Sequence, residues 1–236
     1  MVADFFATFN KAIPLFDESI FKRYVDRQFF WNPDESPSWW ASLNVVLAFG
    51  YRARAQKQDD EGENIQKSLG HIKNAMDVIV ELLMRTADLR AIQAVLGLAL
   101  YFQNTPNPQA LFMFAAMAMR LAHSIGLHRN STFGLTPSEV LERRRAYWIA
   151  FILDADISHR VGRPSVQDAD DYDTVLPLTA PDDGLGIFTL ESTLLDDFLP
   201  VIEPAGFDSE ANISSHLYCT SPSEFRQGYL KRNPLL

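Results

Sequence analysis

The stretch TPSEVLERRRAYWIAFILDADISHRVGRP, residues 136–164, decides the fold. Thr136 is suited to cap a helix, Pro137 fits the first helical position, and Glu139 stands third, where its carboxylate bonds back to the cap. Val140, Tyr147, Trp148, Phe151, Ile152 and Ala155 then recur at helical spacing and predict one apolar stripe running to about Arg160. Glu142 with Arg145, and Asp156 with Arg160, are spaced for surface ion pairs worth roughly 0.2–0.5 kcal/mol each. Gly162 supplies the left-handed turn that stops the helix, and Pro164 forbids its continuation.

Beyond that stop, Asp168, Asp170, Asp171 and Asp173 place four carboxylates within six residues. A calcium loop counted from Asp168 would need a liganding fifth position, a glycine at the sixth and a glutamate at the twelfth. Those positions hold Tyr172, Asp173 and Thr179, so the match fails where the geometry is carried. A helical magnesium enzyme acting on diphosphates needs aspartates one helical turn apart, and Asp170-Asp171-Tyr172-Asp173 lacks that step. The cluster reads as a solvated loop whose acids pair with Arg160 or Arg163.

Upstream, the chain keeps announcing helices. Eight aromatics lie between Phe5 and Phe30, interrupted at Pro14, and predict two short helices with Asp17 capping the second. Ser36-Pro37 opens another, running to about Gln56. The polar run 57–63 is a loop, residues 65–84 a helix, and Asp88 caps one over 89–102. The prolines at 106 and 108 make a turn, a helix follows over 109–124, and Gly126 stops it with Leu127 as the apolar partner. Two helices joined by so short a turn form an antiparallel hairpin. After Val175 the signal weakens, with short helices expected over 190–199 and 212–218. The expectation is an all-α fold: a multi-helix bundle of antiparallel helical hairpins with an irregular C-terminal segment.

Composition narrows the function. The chain has 236 residues, is 47% hydrophobic and carries a net charge of −9, which disfavours a grip on nucleic acid by this chain itself. Its one cysteine, Cys219, permits no internal disulfide and no cysteine-based zinc site. The apolar runs 94–101 and 110–119 fall short of the roughly 17–25 residues a membrane helix needs, so no membrane partner is expected. The N-terminus has no signal-peptide pattern. His123 and His128 straddle a helix end, and His71, His159 and His216 show no zinc spacing; all five read as surface or capping residues. Arg143-Arg144-Arg145 points in several directions from one helix and reads as a solvated or partner-facing surface.

Five segments occur in a specific order: YFQNTPNP from Tyr101, AMRLAHSIGLHR from Ala118, ERRRAYW from Glu142, FILD from Phe151, and Gly162-Arg163-Pro164 with its acidic tail. Together they resemble the fungal-specific transcription factor domain, the middle homology region of binuclear zinc cluster regulators. The resemblance covers residues 4–177 and divides the chain into a regulatory domain, 1–177, and a loop-rich extension, 178–236, that continues it incompletely.

The resemblance implies a nuclear, non-catalytic regulator of DNA-templated transcription with no cofactor in this chain. DNA and zinc binding belong to a six-cysteine cluster that these residues do not contain. Partners it implies are DNA through that cluster, a homodimer or co-regulators, and a small-molecule effector. The matched structural positions are Gly126, His128, Arg129, Arg144, Arg145, Trp148, Asp154, Gly162, Arg163 and Pro164. Among them, Arg144 or Arg145 is expected to lock onto Asp154. An effector pocket would fall among Phe112, Met113, Met117 and Trp148. The competing readings are a stand-alone interaction module that pairs with full-length regulators, and a magnesium-dependent enzyme using the 168–173 loop.

Overall fold

The computed structural model describes residues 1–30, 33–56, 61–103, 105, 108–130, 134–168 and 171–175. The segment 178–236, with its two expected helices, and Asp170 lie outside the described residues. Among those described the fold is all-α: nine helices and no strand. They are α1 Val2–Ala7, α2 Phe9–Ala12, α3 Glu18–Phe30, α4 Pro37–Ala55, α5 Glu61–Asp77, α6 Ile79–Met84, α7 Leu89–Tyr101, α8 Gln109–Ser124 and α9 Pro137–Val161.

The helix ends follow the local chemistry. Asp17 Oδ1 accepts the Ile20 N–H at 2.9 Å to cap α3, Ser36 Oγ accepts that of Trp39 at 3.3 Å to cap α4, and Asp88 Oδ1 that of Ala91 at 2.8 Å to cap α7. At α9 the box closes both ways: Thr136 Oγ1 accepts the Glu139 N–H at 3.4 Å, and Glu139 Oε2 accepts that of Thr136 at 2.9 Å. Gly126 (φ 72°) and Gly162 (φ 66°) end α8 and α9 in the left-handed region. In each case two backbone bonds close the end: Leu127 to the Ala122 carbonyl and Gly126 to that of His123, then Arg163 to Ser158 and Gly162 to His159.

The expected helix over 65–84 differs in two ways. It begins earlier, at Glu61, and it breaks at Val78, where ψ is 3°. Val78, Ile79 and Val80 form a β-branched run whose χ1 restriction weakens helix there, and the chain resumes as α6.

Helix α4 occupies the centre, packed against α1, α5 and α7, while α7 and α8 lie along each other as a hairpin and α9 covers both. Close approach at the centre depends on two glycines. A Cβ at Gly97 of α7 would run into Val45 Cγ1 of α4, and one at Gly50 would run into the Met1 backbone just before α1. Above α4 lies a ring cluster, with Phe9 and Phe49 stacked at 4.0 Å and Phe5 in contact with both.

The single stripe expected on α9 is too narrow. Trp148 and Phe151 are buried as expected, but Arg145, Ile149, Ala150, Leu153, Asp154, Ile157 and Ser158 are buried too. Helices α7 and α8 cover one side, and the returning chain after Gly162 covers another. Each large apolar side chain sealed this way contributes roughly 1.5–3 kcal/mol.

Candidate functional site

Most of the sequence-predicted positions converge where α8 and α9 meet residues 164–168 and 171–175, which lie along α9 as a strap. Gly126 turns the chain sharply, so the rings of His123 and His128 meet edge to face at 5.1 Å despite lying on opposite sides of a helix end. The strap is tied at both ends. Val166 N–H donates to Asp154 Oδ2 at 2.7 Å, and His123 Nε2 donates to the buried Gln167 side-chain oxygen. The Asp173 and Thr174 N–H groups donate to the His128 carbonyl at 3.0 and 3.2 Å, Asn130 N–H to Asp173 Oδ1 at 2.6 Å, and Trp148 Nε1 to the Val175 carbonyl at 3.2 Å. Between these ties Tyr172 inserts its ring against Tyr147, Trp148 and Phe151.

Asp154 is not locked by Arg144 or Arg145. Nine and ten residues apart on one helix, they are separated by roughly 14–15 Å of rise. Arg144 instead donates to Asn130 Oδ1 at 2.9 Å, and the buried Arg145 attracts Asp17 and Glu142. Asp154 stands among weaker partners. Burial raises its pKa above the usual carboxylate range, opposed by the Val166 and Gln167 N–H groups and by His123 and Arg120. Its Oδ1, with His128 Nδ1, Tyr147 OH and Ser158 Oγ, is buried without a hydrogen-bond partner among the described residues.

The acids after the stop are partly accounted for. Asp173 is held by Asn130, while Arg160 pairs with Asp156 at 2.8 Å and Arg163 donates to Gln109 at 3.1 Å, with its guanidinium 4.9 Å from the Phe112 ring centre. Among the described residues no group of three or more His, Cys, Asp or Glu is placed to hold a metal ion. Pro164 follows the stop of α9, where it was expected only to bar continuation of the helix, and begins the strap; Arg129 lies exposed.

Two recesses flank α9. The first, shallow and small, is lined by Arg129, Arg143 and Arg144 with Asn130 and Thr174. Arg143 donates there to the Ile125 carbonyl at 3.1 Å, which places its charge at the negative C-terminal end of α8. The second, shallow and small, lies where α3, α4, α7 and α9 meet. Phe16, Phe21, Trp39 and Gln93 make its buried floor; Asp17, Tyr24, Arg90 and Glu142 stand half-buried at its rim.

Glu142 was expected in a surface pair with Arg145 and is instead drawn inward. Its Oε1 accepts from Gln93 Nε2 at 2.8 Å and from the Asp17 N–H at 3.4 Å, and Gln93 also donates to the Leu15 carbonyl at 2.7 Å. Burial pushes the Glu142 pKa up, against the hydrogen bonds and Arg145. His71, read as surface or capping, bridges α5 to α4 through Asn44 Oδ1 at 2.8 Å and stacks on Tyr51; burial holds its pKa down.

The residues expected to line an effector pocket are spread out. Met113 is 42% exposed, Phe112 and Met117 are half-buried, and Trp148 is 3% exposed beneath the strap. Neither recess is lined by them. The second recess was not legible in the sequence, because its aromatic residues carry the same spacing as core and Glu142 the spacing of a surface pair.

Known proteins share this chain's sequence along most of its length. It is 50% identical over 184 residues to the ABC-transporter-regulating transcription factors of Aspergillus oryzae and Aspergillus fumigatus, covering 78% of this chain and 21% of each relative. It is 38% identical over 170 residues to the Fusaridione A cluster transcription factor of Fusarium heterosporum, covering 71% of this chain and 32% of that protein. The chain thus spans about a fifth to a third of the length of these relatives. No solved structure matches it. The family model described as the fungal specific transcription factor domain matches residues 3–212, and the chain belongs to that family.

Proposed function

We propose that this chain is the regulatory domain of a nuclear fungal transcription factor, controlling DNA-templated transcription without a catalytic step. DNA contact and zinc belong to a separate cysteine-rich domain. The observation that carries the reading is half-identity, sustained over 184 residues, to proteins named as transcription factors. The geometry supports it: Asp154, His128 and Trp148 hold a strap onto α8 and α9. The test joins the chain to an unrelated DNA-binding and activating module and reads a reporter gene. The expected result is a changed reporter output that Asp154→Ala resets; an output indifferent to the presence of the chain would overturn the proposal. Release of pyrophosphate from a prenyl diphosphate with magnesium, lost in Asp171→Ala, would overturn the non-catalytic part.

A second reading, an interaction module that pairs with a copy of itself or with co-regulators, is favoured by one observation. Ile65, Leu69, Met76, Val80 and Met84 expose large apolar side chains along α5 and α6, Met84 to 78%. Sedimentation over a concentration series tests it. Self-association weakened by Leu69→Glu is the expected result, and a monomer at every concentration counts against self-pairing.

A further inference from the structure

We propose that α5 and α6 form a two-fold interface with a second copy of this chain, the two segments running antiparallel about an axis between Asn74 and Ala75. The proposal rests on the self-pairing reading above and fixes its register. Ile65 of one copy faces Met84 of the other, Leu69 faces Val80, and Lys73 meets Asp77.

The first observation is that the segment is apolar on two sides. Ser68, Ile72, Ala75 and Leu82 are buried, and Ser68 Oγ donates to the Ala48 carbonyl at 2.8 Å, so this side seals α4. Ile65, Leu69, Met76, Val80 and Met84 stand outside that seal, exposed by 38–78%. With Lys73 they fall in a stripe about 100° wide, the width of a helix face that docks on a partner. The stripe crosses the break at Val78 and stays open, for Val80 and Met84 are its most exposed members.

The second is the spacing. Ile65, Leu69, Lys73, Met76, Val80 and Met84 step by four, four, three, four and four. That series reads the same from either end. An antiparallel two-fold pair reverses one copy against the other, so a reversible series sets every stripe residue opposite a stripe residue. A partner of unrelated sequence has no need of such symmetry.

The third is charge. Lys73 and Asp77 lie exposed one turn apart on one flank of the stripe. Nearby Glu63 pairs with Lys67 and Glu81 with Arg85, each within this chain. Lys73 and Asp77 have no ion-pair partner among the described residues. A two-fold axis across the helix brings the same flank of both copies to the same side. Lys73 of one copy then lies within roughly 2 Å of Asp77 of the other, measured along the helix at 1.5 Å per residue. Two such pairs form, one on each side of the axis.

From Ile65 to Met84 the stripe runs about 29 Å, and at a helix width of about 10 Å it covers roughly 300 Å² per copy. A standard interface takes about 800 Å² from each partner, so this pairing is weak and reversible.

The test uses the full chain with Cys219→Ser as background. Sedimentation up to roughly 0.5 mM should show a monomer–dimer equilibrium. Under mild oxidation, Leu69→Cys with Val80→Cys in one chain should give a disulfide-linked dimer, since a disulfide joins only Cα atoms within about 7 Å. Either cysteine alone should link at least about tenfold less, because its equivalent in the other copy stands about 16 Å away along the helix. Lys73→Asp and Asp77→Lys should each weaken the dimer roughly threefold to tenfold, and the two together should restore it. A monomer at every concentration would overturn this proposal and the self-pairing reading together. A dimer in which the single cysteines link as well as the pair, or in which the charge reversals fail to compensate, would overturn the register and leave self-pairing through another face standing.

Discussion

Asp154 Oδ2 accepts the backbone N–H of Val166 at 2.7 Å, and this bond joins the interior of α9 to the strap that covers it. The partner is a backbone amide, not an arginine, so deletion removes an acceptor and leaves the donor of a half-buried residue unanswered. Asp154→Ala should therefore cost about 1–3 kcal/mol of unfolding free energy. Asp154→Asn retains a carbonyl acceptor and should lose less. Urea denaturation followed by tryptophan fluorescence measures both, and an alanine variant as stable as the parent would dismiss the strap as a stabilising contact.

Glu142 makes stability depend on pH in a definite direction. Burial raises its pKa in the folded state, so folding favours the protonated form. The folded protein gains from that proton below the unfolded carboxyl value of about 4.3, and loses the gain as pH climbs through the raised value. A glutamine keeps the oxygen that Gln93 and Asp17 use and never ionises. The difference in stability, Glu142→Gln minus parent, should shift in the variant's favour between pH 4 and pH 8. A difference independent of pH would mean the carboxyl is not strained by its burial.

The two carboxylates show why some of the structure was legible in the sequence and some was not. Helix ends are set by neighbours in the chain: Thr136 with Glu139, Asp88 with Ala91, Gly162 after the last turn of α9. Those signals are local, and they located the α9 boundaries and the all-α class. The break at Val78 is equally local, in a β-branched run, but the apolar spacing that predicts one helix continues through it. Glu142 is different. Its environment comes from Gln93 on α7 and from Asp17 at the start of α3, 49 and 125 residues away, and nothing near it in sequence separates it from a surface acid. The meeting of His123 with His128 depends on where Gly126 sends the chain, which helical spacing does not encode.

Packing of α4 on α7 depends on the missing side chain of Gly97. A Cβ there would collide with Val45 Cγ1 and come within 3.5 Å of Leu15 Cδ2. Gly97→Ala should gain helix propensity yet lose about 1–3 kcal/mol to overpacking in a fully buried seam. Val45→Ala should open a cavity and destabilise on its own. The double variant should be more stable than the two separate costs predict, since each change makes room for the other. Thermal denaturation of the four proteins completes the cycle, and strict additivity would show that the seam relaxes elsewhere.

Gly162 is required for its backbone alone. Its φ of 66° and ψ of 33° lie in the left-handed region, yet a Cβ there would meet nothing within 4 Å. Gly162→Ala should cost about 1–2 kcal/mol, the penalty an L side chain carries in that conformation. Gly162→Asn should cost less, because asparagine tolerates this region better. A purely steric site would rank the two the other way, the larger side chain being worse. The position also sets the direction in which Pro164 and the strap leave α9, so a frayed helix end would loosen Val166 from Asp154 and Tyr172 from Trp148. Hydrogen exchange should show faster exchange of the Val166 amide in Gly162→Ala than the global loss of stability explains. Unchanged protection there would confine the role of the glycine to ending the helix.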